Sequence, residues 1–240
     1  MATITKRLDL DKDGIAGFWA TPRRRTRGPA ILLIHHNHGV TDNLKSEAFD
    51  YAELGYSMFV PNLYQLLGYP GKHHLGQGQD IQKETSDPQF VAVINKAWDF
   101  LAAQPEVDPS RIGVIGYCMG GRLGVHFVAQ KPAVKAFAAY YPSIKDEPET
   151  PIRPRHPISV ARELKCPSLI IYGGKDHLSP NDVQLRVWQS FLANGQPLEW
   201  HFYSEGLHGF VAPQSDGYQP HLAKIVRPIA TEFLSRQLED

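Results

Sequence analysis

The sequence predicts an α/β protein with a mostly parallel, doubly wound sheet and an N-terminal β-hairpin. Two observations predict this class. Short continuous apolar runs rich in β-branched residues recur along the chain, which is typical of strands buried on both faces. Segments with helical periodicity lie between these runs, and strands that alternate with helices indicate βαβ units. The length of 240 residues favours one domain, spanning residues 1–240, with a large core.

The elements follow one another in an order that suits such a sheet. Polar and apolar residues alternate over residues 2–10 and 15–21, on both sides of the turn-forming segment 11–14, and predict the opening hairpin. Continuous apolar runs predict further strands at residues 30–34, 57–60, 112–115, 136–140, 168–172 and 198–203. Helical patterns lie at residues 43–54, 88–103, 119–130, 181–194 and 221–238.

Two segments interrupt this alternation. Residues 64–86 are rich in glycine, histidine and glutamine, and residues 142–157 are rich in proline and charged residues. We expect both to cover the carboxyl edge of the sheet as loops or short helices, because ligands of open α/β sheets bind at that edge. Substrate contact is expected from at least one segment, and from Tyr64 and Tyr141, which lie where the segments begin. The alternative is that both are surface excursions.

The composition argues against several classes of partner. The 25 Lys and Arg residues balance the 25 Asp and Glu residues, so no excess charge attracts nucleic acid or an anionic membrane. No apolar stretch approaches the ~20 residues of a membrane-spanning helix, and the first residues lack the apolar core of a secretion signal. Cys118 and Cys166 do not form a disulfide framework, and Cys166 is expected to be structural. We therefore expect a cytoplasmic protein, monomeric or homodimeric, that acts on a small molecule.

The segment Gly116-Tyr117-Cys118-Met119-Gly120-Gly121 carries the strongest functional signal. It lies between a predicted strand and a predicted helix, which is the context of a nucleophile elbow, with cysteine where serine is more usual. Glycines beside a nucleophile let strand and helix approach closely and leave the nucleophile accessible. If Cys118 is a nucleophile, the chain is a hydrolase. The alternative is a glycine-rich turn that holds an inert buried cysteine.

Two further residues follow predicted strands in a meaningful order. Asp176 follows the run 168–172, and His208 follows the run 198–203. The order nucleophile, acid, histidine is that of the α/β-hydrolases. His208 can accept and return a proton near neutral pH, and Asp176 can orient its ring. Each of these residues alone could be a turn or surface residue, but three residues after three strands predict a catalytic triad.

An acyl transfer also requires donors for the developing oxyanion. The amide of Met119, directly after the nucleophile, is one predicted donor, and the amide of Asn37, in the loop after the first buried strand, is the other. His35, His36 and His38 in the same loop suggest zinc. However, alternate residues of an extended strand point to opposite faces, and no second ligand pair has metal-site spacing. We therefore expect neither a metal nor a cofactor.

At these motifs the chain resembles the dienelactone hydrolase family over nearly its whole length. The resemblance rests on Gly39-Val40, Val60-Pro61-Asn62-Leu63-Tyr64, the elbow, Tyr172-Gly173-Gly174-Lys175-Asp176 and Leu207-His208-Gly209-Phe210. It implies the α/β-hydrolase fold, a triad of Cys118, Asp176 and His208, and hydrolysis of an ester or lactone without cofactor or metal.

Two positions depart from the family pattern. The loop of residues 35–38, which carries the predicted donor Asn37, is called the oxyanion loop below. Members that cleave dienelactone have a glutamate in this loop that helps to generate the thiolate, and the matching residue here is His36. They also have an arginine four residues after the catalytic histidine that holds the substrate carboxylate, and here that residue is Ala212. Alanine cannot replace a bidentate guanidinium, so we expect a substrate that is neutral or larger. His36 is expected to help deprotonate the thiol or to contact substrate, with loop packing as the alternative.

Three functions are compatible with these residues. The first is a cysteine-dependent hydrolase of a carboxylic ester or lactone that forms a covalent acyl-enzyme. The second is a module of the same fold that binds a small molecule or a partner and has a weak or vestigial site; the missing arginine and glutamate favour it, whereas the intact triad argues against it. The third is acyl transfer from the same acyl-enzyme. Labelling of Cys118 by iodoacetamide separates the first two, because an inert buried thiol reacts slowly.

Overall fold

A sheet of eight strands forms the centre of the computed structural model, which describes residues 2–24 and 26–239. The strands are β1 (Thr3–Leu8), β2 (Gly17–Pro22), β3 (Gly28–Ile34), β4 (Ser57–Pro61), β5 (Val107–Tyr117), β6 (Ala136–Tyr140), β7 (Ser168–Lys175) and β8 (Leu198–Leu207). Their order in the sheet is β1-β2-β4-β3-β5-β6-β7-β8. The pairs β1–β2 and β2–β4 are antiparallel, and the other neighbouring pairs are parallel. The predicted mostly parallel sheet with an N-terminal hairpin is confirmed.

Helices cover both faces of this sheet. They are α1 (Leu10–Asp13), α2 (Asp42–Glu53), α3 (Leu63–Leu66), α4 (Leu75–Glu84), α5 (Asp87–Ala102), α6 (Met119–Ala129), α7 (Pro157–Ala161), α8 (Asn181–Leu192) and α9 (Pro220–Leu238). α2 and α9 share one face, where Arg227 of α9 donates to Asn43 of α2 at 2.8 Å. α5, α6, α7 and α8 pack on one another in sequence on the other face. Within the two described ranges, no helix is both long and apolar enough to cross a membrane.

The five helices predicted from periodicity are present, and each end lies within two residues of its expected position. Most of the predicted strands are buried, and all seven residues of β3 are. The run 198–203 is an exception, because β8 is the last strand of the sheet and its residues are half-buried or exposed, with Phe202 50% exposed. The predicted strand at 112–115 is the second half of a longer strand, β5, whose first residues pair with β3 across a register shift. The short helix α1 occupies most of the predicted turn between β1 and β2 and ends at Asp13, and Gly14 caps it with a φ of 67°.

The segment 64–86 is more ordered than expected, because it contains the ten-residue helix α4. Gly76 and Gly78 lower the intrinsic helix propensity of this stretch, which is why its sequence pattern is ambiguous. A capping box opens the helix, in which the Gln77 side chain accepts from the His74 N–H at 3.3 Å. Gly78 and Ile81 are buried, so packing against the rest of the protein offsets the low propensity.

The three predicted catalytic residues each follow a strand end directly. β5 ends at Tyr117, β7 at Lys175 and β8 at Leu207, so Cys118, Asp176 and His208 are the next residues. The loop 35–38 follows β3 in the same way. Because these four strands are parallel, their carboxyl ends meet at one edge of the sheet. The topology therefore brings the candidate site residues together.

Candidate active site

The backbone at Cys118 lies in the left-handed region, with φ 52° and ψ −114°. The turn from β5 into α6 is tight. A Cβ on Gly116 would lie 2.4 Å from the Gly120 carbonyl oxygen, and a Cβ on Gly120 would lie 2.1 Å from the Ile34 carbonyl oxygen. Both positions therefore require glycine, in agreement with the physical reason given for the elbow motif.

Cys118, His208 and Asp176 form a continuous hydrogen-bonded chain. Cys118 Sγ lies 3.0 Å from His208 Nε2, and His208 Nδ1 lies 2.8 Å from Asp176 Oδ2. The second Asp176 oxygen accepts from the N–H groups of Leu178 at 2.9 Å and Ser179 at 3.1 Å. Because both carboxylate oxygens are engaged, Asp176 is fixed and can hold the imidazole with Nε2 towards the sulfur.

The thiol and the imidazole shift each other's ionisation. Burial raises the pKa of the Cys118 thiol, but the charge and hydrogen bond of His208, together with contacts from the Met119 main chain and the Ser143 side chain, lower it below its ordinary value. Burial lowers the pKa of His208, whereas the Cys118 charge and the hydrogen bond to Asp176 raise it, with a result of about 10. Both shifts favour a thiolate–imidazolium pair at neutral pH, which is the reactive form of a cysteine nucleophile.

The two residues with the predicted oxyanion donors, Met119 and Asn37, lie next to Cys118 in sequence and in the same cavity as Cys118, respectively. Met119 is the first residue of α6, so its N–H has no partner within the helix. This N–H contacts the Cys118 sulfur instead. Asn37 lines the same cavity as Cys118. The Asn37 carbonyl oxygen accepts from the Tyr64 hydroxyl at 3.0 Å, and Asn37 Oδ1 accepts from Gln82 at 2.7 Å. These contacts fix the loop that carries the Asn37 amide.

Tyr141 and Tyr64 occupy different positions relative to the cavity. Tyr141 lines it, with its ring centroid 5.1 Å from that of His208. The Tyr141 hydroxyl is buried and has no hydrogen-bond partner among the described residues, so it can bond to a ligand. Tyr64 is fully buried and is not among the cavity-lining residues. Substrate contact by Tyr64 does not fit this position, because its hydroxyl is bonded to the Asn37 carbonyl.

The cavity over Cys118 has a volume of about 400 Å³, which suits a small-molecule ligand. The oxyanion loop, α4 and the loops after β7 and β8 contribute to its walls. Both positions that depart from the family pattern, His36 and Ala212, line it. The two departures therefore change the walls of the same cavity that contains Cys118.

His36 is held as a neutral ring. Its Nδ1 accepts from the His38 N–H at 3.2 Å, and its Nε2 contacts the Gln214 side-chain amide. Burial, assisted by the charges of His38 and His35, lowers the pKa of His36 to about 3. A base of that strength does not deprotonate a thiol, so the expected role in thiolate formation does not fit. Substrate contact and loop packing are the roles that its position allows.

The histidines of the oxyanion loop do not converge on a common point. His35 is fully buried, with its Nε2 accepting from the Leu63 N–H at 3.2 Å and its Nδ1 donating to the His36 carbonyl at 2.7 Å. Across residues 2–24 and 26–239, no group of three or more His, Cys, Asp or Glu residues is arranged to hold a metal ion. Both ring nitrogens of His35 are thus hydrogen-bonded to main-chain groups, one in the oxyanion loop and one in α3.

Sequence reasoning did not identify the residues that support the oxyanion loop. A Cβ on Gly78 of α4 would lie 1.9 Å from the Asn37 carbonyl oxygen, and Gln82, one helical turn later, bonds the Asn37 side chain. Their spacing of four places both on one helix face, a signal that appears only once the helix is recognised. Ser143, in the second irregular segment, donates its N–H to the Cys118 carbonyl at 3.0 Å.

The chain is similar to several known proteins. The dienelactone hydrolase family matches residues 15–238. A Methylorubrum extorquens protein with the provisional name carboxymethylenebutenolidase is 30% identical over 218 residues, which cover 89% of this chain and 74% of that protein. A provisionally assigned dienelactone hydrolase from Klebsiella pneumoniae has a TM-score of 0.87 at 24% identity, covering 98% of this chain and 99% of the other. A dienelactone hydrolase-like promiscuous phosphotriesterase from metagenomic libraries has a TM-score of 0.79 at 18% identity, covering 99% of each chain.

Proposed function

This chain belongs to the dienelactone hydrolase family, and we propose that it cleaves a carboxylic ester or lactone through a triad of Cys118, His208 and Asp176 and a covalent acyl-enzyme. The observation that carries the proposal is the unbroken chain of contacts, 3.0 Å from the Cys118 sulfur to His208 and 2.8 Å from His208 to Asp176. The sulfur at its end lies in a cavity of about 400 Å³. A nucleophile, a base and a residue that orients the base are the minimum set for this chemistry.

The first half of the proposed reaction forms the acyl-enzyme. The Cys118 thiolate attacks the carbonyl carbon of the ester, a C–S bond forms, and the carbonyl oxygen becomes an oxyanion. The N–H groups of Met119 and Asn37 donate to this oxyanion, and each such donor is typically worth ~3 kcal/mol in the transition state. The C–O bond then breaks, and the His208 imidazolium gives its proton to the departing alkoxide.

The second half restores the free thiol. Neutral His208 takes a proton from a water molecule as the water attacks the thioester carbonyl carbon. The same two amides stabilise the second oxyanion, and its collapse breaks the C–S bond and releases a carboxylic acid. His208 returns to the imidazolium form beside the thiolate, and Asp176 holds the ring in place throughout.

The walls of the cavity favour substrates other than a compact carboxylate-bearing lactone. Ala212 is 5% exposed and presents a methyl group where the family pattern has a guanidinium. His36, which lines the same cavity, is neutral, so neither departing position supplies positive charge. Tyr141 adds a hydroxyl that can bond to a polar group of the substrate. We therefore propose that the part of the substrate next to the scissile bond is uncharged.

Replacement of Cys118 tests the proposed mechanism. Cys118→Ala should reduce hydrolysis of p-nitrophenyl acetate by several orders of magnitude, because loss of a triad nucleophile usually does so. Cys118→Ser should also lose most of the rate, since a hydroxyl is far less acidic than a thiol. Steady-state kinetics on purified variants, with circular dichroism to confirm folding, measures both effects. A folded Cys118→Ala protein that keeps most of its activity would refute the mechanism.

Cys166 provides a matched control. It is the second cysteine of the chain, it is 3% exposed, and burial raises the pKa of its thiol to about 12. Cys166→Ala should therefore leave turnover close to that of the unmodified protein, and iodoacetamide should label Cys118 alone. Slow labelling of Cys118 together with no ester hydrolysis would support a binding module instead. Acylated product formed with an added alcohol acceptor would support acyl transfer.

A further inference from the structure

A second cavity, of about 690 Å³, lies beside the catalytic one. Gln79 of α4 lines both cavities. Ser143 also lines the second cavity. Its side chain contacts the Cys118 sulfur, and its N–H donates to the Cys118 carbonyl. The second cavity, called the charged cavity below, therefore borders the nucleophile, although the proposed reaction makes no use of it.

Charged side chains of both signs line the charged cavity. Five are Lys or Arg and three are Asp or Glu, namely Lys83, Arg122, Lys145, Arg153 and Arg155 against Asp87, Glu147 and Glu149. Acids outside the lining pair with two of these cations, Asp80 with Lys83 at 2.8 Å and Glu163 with Arg155. The contacts of Arg122 and Arg153 therefore decide whether the cavity attracts an anion.

The buried part of the cavity wall holds two arginines against one carboxylate. Arg122 is 7% exposed and Asp87 is 2% exposed, and the Arg122 Nη1 lies 2.6 Å from both Asp87 oxygens. Arg153 lies 3.3 Å from the same carboxylate. His126 also faces it at 3.5 Å, but burial and the nearby arginines lower the pKa of His126 to about 4, despite the opposing charge of Asp87, so the ring is neutral. Two guanidinium groups thus share one carboxylate.

A second observation points in the same direction. The Arg122 Nη2 is buried and has no hydrogen-bond partner among the described residues. A buried charged donor without a partner is unfavourable, because it has lost its hydration without gaining a hydrogen bond. Glu147, whose charge also acts on Arg153, is exposed and pairs with Lys145 at 3.3 Å. Asp87 carries one negative charge against the two positive charges of Arg122 and Arg153. An anion bound in the charged cavity would supply the second negative charge.

We propose that the charged cavity is an anion-binding subsite that takes a carboxylate or phosphate group. The anion is either the far end of a substrate whose ester bond lies at Cys118 or a separate small ion. The first form rests on the proposed function, whereas anion binding itself does not. A substrate held in this way is larger than a dienelactone and carries its charge away from Ala212, which agrees with the uncharged wall beside the scissile bond.

Equilibrium binding tests the subsite independently of catalysis. Inorganic phosphate and glutarate are titrated into the unmodified protein and into Cys118→Ala by calorimetry. Lys145→Glu should weaken binding several-fold, since Lys145 lines the cavity and is exposed, so its replacement is tolerated by the fold. Lys135→Glu is the matched control, because it makes the same charge change at an exposed residue outside the cavity. Arg122→Gln should weaken binding about tenfold or more if it folds.

Kinetics distinguish the two sources of the anion. The probes are p-nitrophenyl glutarate, which has a free carboxylate at the end of its acyl chain, and its methyl ester. If the substrate supplies the anion, kcat/KM should favour the free acid, and Lys145→Glu but not Lys135→Glu should reduce that preference. Phosphate binding without such a preference supports the separate-ion form.

The failures of the two proposals are distinguishable. If Cys118→Ala binds the anions but no ester is hydrolysed by the unmodified protein, the subsite stands and the hydrolase proposal fails. If neither anion binds and the free acid is not preferred, the subsite proposal is overturned. Equal losses in Lys145→Glu and Lys135→Glu would also overturn it, because the effect would then reflect overall charge.

Discussion

The proton shared by Cys118 and His208 sets the pH range of the proposed reaction. The pKa of the thiol lies below its ordinary value, and that of His208 is raised to about 10. The proposed reaction requires the thiolate together with the imidazolium. We therefore expect kcat/KM to rise as the thiol deprotonates, at a lower pH than an ordinary cysteine, and to fall as His208 loses its proton near pH 10.

Thiolate absorbance in a Cys166→Ala background measures the acidic limb directly. In His208→Gln the thiol should titrate at a higher pH, because the burial that raises its pKa remains while the neighbouring charge is lost. The same shifts affect folding in opposite directions. The contribution of His208 to stability is lost as pH rises through about 10, and that of Cys118 is lost as pH falls through its lowered pKa. A thiol that titrates at or above the free-cysteine value in the unmodified protein contradicts the ion pair.

We expect Ala212 to determine whether the cavity accepts a charged group next to the scissile bond. Ala212→Arg should improve turnover of short carboxylate-bearing esters relative to neutral esters. A charge-assisted contact is worth about 1.5–3 kcal/mol, or roughly one to two decades in selectivity. The ratio of kcat/KM values for p-nitrophenyl succinate and p-nitrophenyl butyrate measures the effect.

Ala212→Met is the control for this change, since methionine adds bulk without charge. An equal change in selectivity in Ala212→Met would show that shape rather than charge is responsible. The dependence on salt adds a second criterion. A contact in a closed pocket should persist as ionic strength rises, whereas an exposed contact should weaken.

The helix α4 is expected to act on catalysis through the oxyanion loop. A methyl group at Gly78 would lie 1.9 Å from the Asn37 carbonyl oxygen and 2.5 Å from the Tyr64 hydroxyl, so Gly78→Ala must displace one of them. We expect kcat to fall by at least about tenfold, because loss of a complete oxyanion donor costs ~10²–10³ in kcat. Steady-state kinetics with p-nitrophenyl acetate measures the loss.

Gly76 of the same helix is the matched control. A methyl group there would lie 3.5 Å from the His74 ring, which is an ordinary contact. Gly76→Ala should therefore keep the rate, and its melting temperature should be unchanged or slightly raised, since alanine favours a helix. Equal losses of rate in both variants would show that the helix as a whole, rather than the contact with Asn37, is sensitive to substitution.

At the level of the whole molecule, most of the architecture could be predicted from the sequence. Buried strands such as β3 are continuous apolar runs, and helices such as α5 and α6 have clear periodicity, so the class of fold follows from local pattern. The site residues at 118, 176 and 208 could be placed because parallel strands bring their carboxyl ends to one edge. The geometry that joins them is consistent with that placement.

Contacts between distant segments could not be predicted in this way. The support of Asn37 by Gly78 and Gln82 depends on where α4 packs, and glycines made that helix hard to recognise. The position of Tyr64 in the sequence suggests substrate contact. Its side chain is buried instead, with its hydroxyl bonded to Asn37 of the oxyanion loop, a contact between segments far apart in the chain. The ionisation of His36 depends on packing, because its pKa of about 3 arises first from burial. Each of these properties belongs to the assembled structure.

The backbone conformation of Cys118 implies a trade-off between stability and activity. A side-chain-bearing residue held at φ 52° and ψ −114° stores strain of about 1–3 kcal/mol, and Tyr141 beside the same cavity also has a positive φ, of 37°. Cys118→Gly and Cys118→Ala should both be inactive, but the glycine variant releases this strain. It should melt higher than the alanine variant by a few degrees, since ~1 kcal/mol corresponds to ~2–4 °C in a protein of this size. The difference in melting temperature between the two variants, measured by calorimetry, would then give the loss of stability caused by the backbone conformation at Cys118.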